Sequence, residues 1–321
     1  MNMIHYLRLQ AAKGIGTAAQ RKVLNHIATT NSSLPEFFQA SVSDWKQAGL
    51  ISSQIEALQA SEELAMKWQE ELVRKKIQVI GQLDDNYPKR LNQVLTNQSP
   101  PILYFWGNWN LLQNPSIGFC GSRNASEQGI NITKDTAKQI AQKGWTIVSG
   151  HAKGIDFTAH RTALENDGTT IIVAPEGILE FRLQEELKKL AGSGKILILS
   201  EFQPNSHWSV ANAMTRNHTI CGLSDALVVV ESGLSGGTFE AGKFAIRVQV
   251  PLFVADYTEP EVNAPGNPYF IQSGAEPVRQ NPQTHRANLH RLFTKVENHY
   301  VNLEKPIPKQ KMLFAHEQFK L

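Results

Sequence analysis

The chain has few of the features that define disulfide-rich, metal-binding or membrane proteins. It contains only two cysteines in 321 residues, Cys120 and Cys221, which lie far apart and form no CxxC pair. Neither a disulfide framework nor a zinc ribbon is therefore indicated. No apolar run approaches the ~18 residues that a membrane helix needs, and the N-terminal sequence MNMIHYLRLQ has no apolar signal-peptide segment. These absences predict a cytoplasmic protein without a membrane partner.

Charge is also scarce and is unevenly spread along the chain. The formal net charge is +3, and charged residues make up 19% of the sequence. Residues 277–321 hold eight Lys or Arg and three Asp or Glu, whereas the preceding 276 residues hold 24 and 26. The basicity therefore belongs to the C-terminal tail. A basic tail occurs both in nucleic-acid contacts and at solvated chain ends, and charge alone leaves both interpretations open.

The remaining composition is that of an ordinary globular protein, with 41% hydrophobic residues and enough length for two domains at ~100–200 residues each. The pattern of apolar residues divides the chain into three regions. Residues 1–76 show helical periodicity, which predicts a small helical module. Residues 77–280 alternate short apolar runs with amphipathic stretches. Residues 281–321 are predicted to form a basic tail, with one possible helix near 285–298.

A glycine-containing turn, Lys13-Gly14-Ile15-Gly16-Thr17, separates the first two predicted helices. It resembles a helix-hairpin-helix turn, in which glycine amides approach a DNA phosphate. The same residues also suit a plain connection between two helices, because glycine adopts the positive φ found at helix ends. Both interpretations stay open.

The middle region has the pattern of a doubly wound α/β domain. Short runs that are almost wholly apolar are expected for strands buried on both faces of a parallel sheet. Such runs lie at residues 77–80, 102–106, 117–120, 146–149, 170–174, 196–199, 227–231 and 252–254, with helical stretches near 127–143, 155–166, 180–191, 210–222 and 236–247. We therefore predict an α/β fold with a mostly parallel Rossmann-like sheet and a small helical N-terminal domain.

Four loops that follow predicted strands are rich in small and polar residues. Because ligands of open parallel sheets bind at the carboxyl ends of the strands, these loops are candidates for one shared site. Glycine lets backbone amides approach an anion, hydroxyls donate hydrogen bonds, and arginine or lysine pairs with phosphate oxygens. The residues that we expect to bind a phosphate-bearing ligand are Gly121, Ser122 and Arg123 in the first loop, Ser149, Gly150, Lys153 and Gly154 in the second, Arg216 and Asn217 in the third, and Ser235, Gly236, Gly237 and Thr238 in the fourth.

Other residues in these loops lack the partners that catalysis needs. His151 and His160 have no accompanying nucleophile or metal-ligand spacing, so we expect no catalytic residue, no metal and no cofactor. Asp156 lies in the first turn of a predicted helix, where a structural role fits best. The first loop lacks the GxGxxG fingerprint, which disfavours an NAD-dependent dehydrogenase. Three aromatic residues near the loops have rings that either stack on bases or serve packing: Trp145, Phe202 and Trp208.

A series of short motifs occurs in a fixed order along the chain: LDDNYP (83–88), PPILYFWGN (100–108), GSR (121–123), SGHAKGID (149–156), AH (159–160), LSEF (199–202), RN (216–217) and GLS (222–224). Taken in this order, the motifs resemble those of the DNA-processing protein A family (DprA/Smf), and the resemblance spans roughly residues 1–275. It implies a protein that binds single-stranded DNA, usually as a dimer and without catalytic turnover, and that loads RecA during natural transformation. It also implies that Ser122 and Arg123 clasp a phosphate, with Lys153, Arg216 and Asn217 in the same pocket.

The chain departs from the pattern of that family in parts of the site. The family usually has arginine at the positions of Thr215 and His218, and a different loop where residues 235–240 stand here. Those residues are reminiscent of the nucleotide-phosphate motif of lysine-decarboxylase-like phosphoribohydrolases. A second hypothesis is therefore a nucleotide-binding sensor or nucleotide hydrolase in defence or signalling. In it Glu240 acts as acid/base or ribose ligand, whereas a helix-capping role for Glu240 is the simpler alternative.

Overall fold

The computed structural model describes residues 2–257, 262 and 264–304 and shows a mixed α/β fold. Helices come first along the chain: α1 (Met3–Ala11), α2 (Thr17–Thr29), α3 (Leu34–Gln39), α4 (Val42–Gln47), α5 (Ser52–Gln59) and α6 (Glu62–Arg74). Gly14 lies in the turn between α1 and α2 with a φ of +82°. Ser33 and Ser41 are the N-caps of α3 and α4, each in a capping box.

The described part of the chain then builds one sheet of nine strands. The strands are β1 (Gln78–Gly81), β2 (Ile102–Gly107), β3 (Ser116–Cys120), β4 (Thr146–Ser149), β5 (Thr169–Val173), β6 (Ile196–Ser200), β7 (Ala226–Val229), β8 (Leu252–Ala255) and β9 (Glu276–Val278). Their order in the sheet is β1-β2-β6-β5-β4-β3-β7-β8-β9. Neighbours from β6 to β9 are parallel, whereas β2 is antiparallel to both β1 and β6.

Further helices connect and cover the strands. They are α7 (Lys89–Leu95), α8 (Glu127–Gln142), α9 (Ile155–Glu165), α10 (Glu185–Leu190), α11 (Val210–Leu223), α12 (Gly237–Arg247), α13 (Asn267–Gln272) and α14 (His290–Glu304). Within the described ranges, no helix combines the length and the apolar character that crossing a membrane requires.

Side chains alternate between the two faces of the sheet, as the pleat of a strand requires. In β6, Leu197 and Leu199 pack on the face that is covered by α7, α11, α12 and α13, whereas Ile196 and Ile198 pack on the opposite face. The N-terminal helices cover that opposite face near β2 and β6, and α8, α9 and α14 cover it near β3 and β4. Because both faces of the central strands are buried, β3, β4, β6, β7 and β8 consist mostly of buried apolar residues.

The segment after residue 280 packs against α8. The side chain of Gln139 donates to the carbonyl of Ala287 at 2.9 Å, and Leu289, Leu292 and Val296 are at most 2% exposed. The described part of the predicted basic tail therefore shares a buried core with the sheet. Residues 305–321 of that predicted tail lie outside the described residues.

The fold class predicted from the sequence is confirmed. The apolar runs correspond to β1–β8 within two residues at each end, and the five helical stretches predicted between the later strands are present. The predicted helix near 180–191 begins only at Glu185. The elements that the sequence pattern missed are β9, α7 and α13, which are at most seven residues long and therefore too short to show a clear period.

A buried carboxylate joins the starts of β3 and β7, at the end of the sheet where these two strands begin. Asp225 is 4% exposed, and its Oδ2 accepts the backbone N–H of Ser116 at 2.8 Å. Its Oδ1 lies 2.7 Å from Nη1 of Arg90 in α7. The pair thereby fixes α7 to the sheet.

We expect Asp225→Ala to lower the free energy of unfolding by about 2 kcal/mol, because it leaves the buried amide of Ser116 without its acceptor and removes the partner of the partly exposed Arg90. The matched control is Glu71→Ala, which removes an exposed pair with Arg74 at 3.4 Å and should change stability by less than about 1 kcal/mol. Urea unfolding followed by circular dichroism measures both variants. Equal losses in the two would contradict the structural role of Asp225.

Candidate functional site

The strand order places a switch point of the sheet beside β3. The chain winds outward from β3 through β4 and β5 to β6 and then returns to β7 on the other side of β3. Loops on the two sides of such a point diverge, which opens a crevice at the carboxyl ends of the strands. The loops after β3 and β7 therefore form facing walls.

A cleft of about 310 Å³ occupies this crevice. It is bounded by the loop after β3, the loop between β4 and α9, the first turns of α11 and the start of α12. The lining residues are Cys120, Gly121, Ser122, Arg123, Ala152, Asp156, Val210, Ala213, Met214, Arg216, Asn217, Gly236, Gly237 and Thr238. All four loop regions that the sequence marked as candidates thus meet at one place.

The loop after β3 is held from several sides. Gly121 has no room for a side chain, since a Cβ there would lie 2.4 Å from Cγ1 of Ile155. Gly154 has a φ of +77°, and the amide of Ile155 that follows it donates to the carbonyl of Ser122 at 3.2 Å. From the other wall, the hydroxyl of Thr238 donates to the carbonyl of Gly121 at 3.2 Å. The walls are therefore positioned before any ligand arrives.

Glu231, two residues beyond the end of β7, ties the same loop to its neighbour. It is 1% exposed, and its carboxylate accepts hydrogen bonds from the amide and the hydroxyl of Ser126, the N-cap of α8. Gly129 lies so close that a Cβ there would be 2.3 Å from Oε1 of Glu231. This buried carboxylate sets the distance between the loops after β3 and β7.

The buried guanidinium of Arg216 lines the inner part of the cleft. Arg216 is 5% exposed, and its Nη1 lies 3.8 Å from Oδ2 of Asp156. Its Nε has no hydrogen-bond partner within the described residues. A Cβ at Gly150 would lie 1.7 Å from Nη1, so only glycine leaves room for the guanidinium. Burial raises the pKa of Asp156, and the nearby Arg216 opposes that rise.

A neutral histidine holds Gly150 in place. His160 is fully buried in α9, where its Nε2 donates to the carbonyl of Gly150 at 2.6 Å and its Nδ1 contacts the hydroxyl of Thr170 at 2.5 Å. Because a carbonyl only accepts, the proton of the neutral imidazole lies on Nε2. Burial lowers the pKa of His160 to about 3. Burial together with Arg216 also lowers the pKa of His151 to about 4.

The outer part of the cleft carries an exposed cation and an uncapped helix start. The guanidinium of Arg123 has no hydrogen-bond or carboxylate partner within the described residues, and its Cζ lies 5.5 Å from the ring centroid of Trp208. Gly236 precedes α12 with a φ of +90°, and no side chain caps that end. The first amides of α12 are therefore available to an anion. Asn217 donates to the carbonyl of Gly237 at 3.1 Å and fixes this loop to α11.

The structure brings together most of the predicted phosphate-binding residues. Ser149, Gly150 and Gly154 lie behind the cleft, where they shape its backbone, and the hydroxyl of Ser149 donates to the carbonyl of Phe119 at 2.7 Å. Lys153 and Ser235 are exposed and do not line the cleft. The predicted residues that do line it are Gly121, Ser122, Arg123, Arg216, Asn217, Gly236, Gly237 and Thr238. Their binding of phosphate stays a prediction.

Glu240 lies on a neighbouring surface and not in the cleft. Its carboxylate pairs with Lys243 at 2.7 Å, is 46% exposed, and faces a separate groove between α11 and α12. The carboxylate among the lining residues is Asp156, which faces Arg216. Burial raises the pKa of the Cys120 thiol well above its usual value, so this lining residue is a poor nucleophile. Among the residues that line this cleft, no feature therefore supports nucleotide hydrolysis.

Sequence reasoning missed several residues that build the site. Asp156, which its position in a first helical turn marks as structural, also faces Arg216. Glu231 is the last residue of the predicted apolar run 227–231, and a carboxylate buried there needs hydrogen-bond donors, so its position was a usable signal. Val210 and Met214 on α11 gave no signal, because apolar residues on a helix are expected to pack inward.

Comparison with known proteins identifies a matching family and solved structures that share the fold of this chain. A sequence profile described as DNA recombination-mediator protein A matches residues 78–288. The DNA processing protein DprA of Streptococcus pneumoniae is 31% identical over 198 residues, which are 61% of this chain and 69% of that protein. The X-ray structure of DprA from the same organism has a TM-score of 0.75 at 25% identity and covers 87% of this chain and 95% of its own. DNA processing protein A from Helicobacter pylori, whose structure was described for its unique single-stranded DNA binding mode, has a TM-score of 0.55 at 22% identity, over 70% of this chain and 96% of its own.

Acidification should reveal the buried neutral state of His160. Its folded pKa of about 3 lies below the ordinary 6.5, so its contribution to stability is complete above pH 6.5 and is lost as the pH falls toward 3. His160→Gln should destabilise the chain at pH 7, and its difference from the wild type should shrink by about 2 kcal/mol between pH 7 and pH 5. Urea unfolding at each pH measures this difference.

The control for that experiment is His207→Gln, at a side chain that is 88% exposed. It should change stability little at either pH. A difference between His160→Gln and the wild type that does not vary with pH would contradict the buried, uncharged imidazole.

Proposed function

The chain belongs to the DNA recombination-mediator protein A (DprA/Smf) family, and from this membership we propose that it binds single-stranded DNA in the cleft beside β3. A phosphate of the strand lies between Arg123 and Arg216 in this proposal, with the first amides of α12 as further donors. The observation that carries it is the buried, incompletely hydrogen-bonded guanidinium of Arg216 in an open cleft. Ionised donors of this kind form the stronger hydrogen bonds with phosphate.

A relative supports the choice of ligand. The Helicobacter pylori protein, which shares the fold, is described as binding single-stranded DNA. The cleft of the present chain adds the chemistry that a phosphodiester needs, with two arginines against the single lining carboxylate of Asp156. The glycine-rich walls also let a backbone approach closely, because Gly121 and Gly236 present no side chains.

The affinity has to come from a local cluster, because most of the chain is not basic. The first 276 residues hold 24 basic and 26 acidic side chains, so there is no excess of positive charge to form a wide DNA-binding surface. A few phosphate contacts predict a modest salt dependence, with a slope of about −0.7 per phosphate for single strands. This distinguishes the proposed site from a broad electrostatic surface.

We further propose that the bound strand is handed to RecA in DNA uptake or natural transformation. In this role the chain acts as a homodimer in the cytoplasm, and it works by binding and not by catalysis. Family membership supports the mediator role. RecA-dependent strand exchange with and without the protein tests the partner, and sedimentation tests the dimer.

The direct test of DNA binding compares three ligands at two salt concentrations. Fluorescence anisotropy of a labelled oligothymidylate, a duplex of equal length and a mononucleotide gives the relative affinities. We expect the single strand to bind most tightly, with a logarithm of affinity that falls linearly with the logarithm of salt concentration. Tighter binding of the mononucleotide would favour a nucleotide sensor instead.

Arg123→Ala should weaken binding of the oligothymidylate about tenfold or more and reduce the salt slope by about 0.7, because it removes one phosphate contact. The matched control is Arg74→Ala on α6, which removes an exposed arginine far from β3 in the chain. Circular dichroism verifies that both variants are folded. Unchanged affinity in Arg123→Ala would overturn the assignment of the cleft.

A further inference from the structure

Exposed apolar side chains cluster at one edge of the cleft. Trp208, Val210 and Met214 are 49%, 64% and 40% exposed, and none of them belongs to the buried clusters that the described residues form. Val210 and Met214 are one turn apart on α11 and line the cleft, and Trp208 lies two residues before that helix. We name these three residues the apolar lip. Apolar surface of this kind, beside a polar cleft, marks an interaction site.

The backbone that carries the lip is anchored on both sides of Trp208. Before it, the carbonyl of Ser206 accepts the amide of Gly177 at 2.7 Å. After it, the hydroxyl of Ser209 accepts the amide of Asn212 at 3.0 Å and begins α11. The exposure of the indole is therefore a property of a fixed segment and not of a loose loop end.

The ring of Trp208 also connects the lip to the outer cation of the cleft. The Cζ atom of Arg123 lies 5.5 Å from the ring centroid, which is a cation–π distance. Half of Trp208 nevertheless stays exposed, so the indole still has surface for a second planar group. A nucleotide whose phosphate is held by Arg123 carries such a planar group within reach of the ring.

We propose that the apolar lip stacks one unpaired nucleobase of the strand whose phosphate occupies the cleft, an inference that rests on the proposed function. Every base has a π-face, so stacking on Trp208 requires no particular sequence. In a duplex both faces of each base are covered by neighbouring pairs, and the lip is then left without its ligand. The lip thereby supplies a preference for single strands, which phosphate contacts do not provide by themselves.

The test separates base contacts from phosphate contacts. It compares an oligothymidylate of about 12 nucleotides with an abasic oligomer of the same length, which has the same phosphates but no bases. The wild type should bind the oligothymidylate about tenfold more tightly than the abasic oligomer, the effect of one stacked base. Trp208→Ala should remove this preference and leave the affinity for the abasic oligomer unchanged within about twofold, whereas Trp208→Phe should keep most of the preference because a ring remains.

Trp106→Ala is the matched control, since Trp106 on β2 is 43% exposed and does not line the cleft. It should keep the preference of the wild type. If Trp208→Ala weakens both oligomers equally, the ring acts through Arg123 and not on a base, and the inference is wrong. If Trp208→Ala still prefers the oligothymidylate to the abasic oligomer, the inference is also wrong. If Trp208→Ala keeps that preference but sediments differently from the wild type, the apolar lip is a contact between copies of the chain, and the inference is wrong. If the wild type binds neither oligomer, the proposed function fails together with the inference.

Discussion

Arg216 carries a guanidinium into the sheet domain with only 5% of the residue exposed, and the arrangement of the cleft follows from that burial. A buried cation is costly unless its surroundings compensate for the lost water. Here the compensation is partial, since Asp156 is 3.8 Å away and Nε is unpartnered within the described residues. The guanidinium also needs the space that only glycine at position 150 leaves, and His160 holds that glycine by its carbonyl. The phosphate that we propose for this cleft would supply the partner that the protein itself does not give to Nε.

The rest of the cleft keeps its walls rigid around this cation. Glu231 fixes the loop after β3 to the one after β7, and Thr238 joins the same two loops through the carbonyl of Gly121. Asn217 links α11 to the start of α12. These bonds involve buried or backbone groups, so they leave the arginines and the helix-start amides unoccupied. A site organised in this way offers few, well-placed donors, which suits a chain with almost no net charge outside its C-terminal segment.

Most of this site could be predicted from the sequence, because a parallel sheet brings the loops after its strands to one edge. That rule located the segments of Arg123 and Arg216 correctly without any knowledge of contacts. It could not place individual side chains. Lys153 belongs to the loop between β4 and α9 that the rule selected, yet its side chain is exposed and does not line the cleft. Apolar pattern likewise gave no direction for β1 and β2 and no reason to expect Met214 at an exposed edge.

The N-terminal helices contribute to the site although no residue of theirs lines the cleft. The side chain of Gln203 donates to the carbonyl of Gln10 at the end of α1 at 2.7 Å, which anchors the segment between β6 and α11. Thr219 on α11 donates to the half-buried Glu201 at the start of that segment at 2.7 Å, and Thr219 lies one turn away from Arg216. Burial raises the pKa of Glu201 to about 7, so its carboxyl is only partly ionised near neutral pH. Through Thr219, Glu201 holds α11 beside the sheet, so the segment that the N-terminal helices anchor also fixes the helix that carries Arg216.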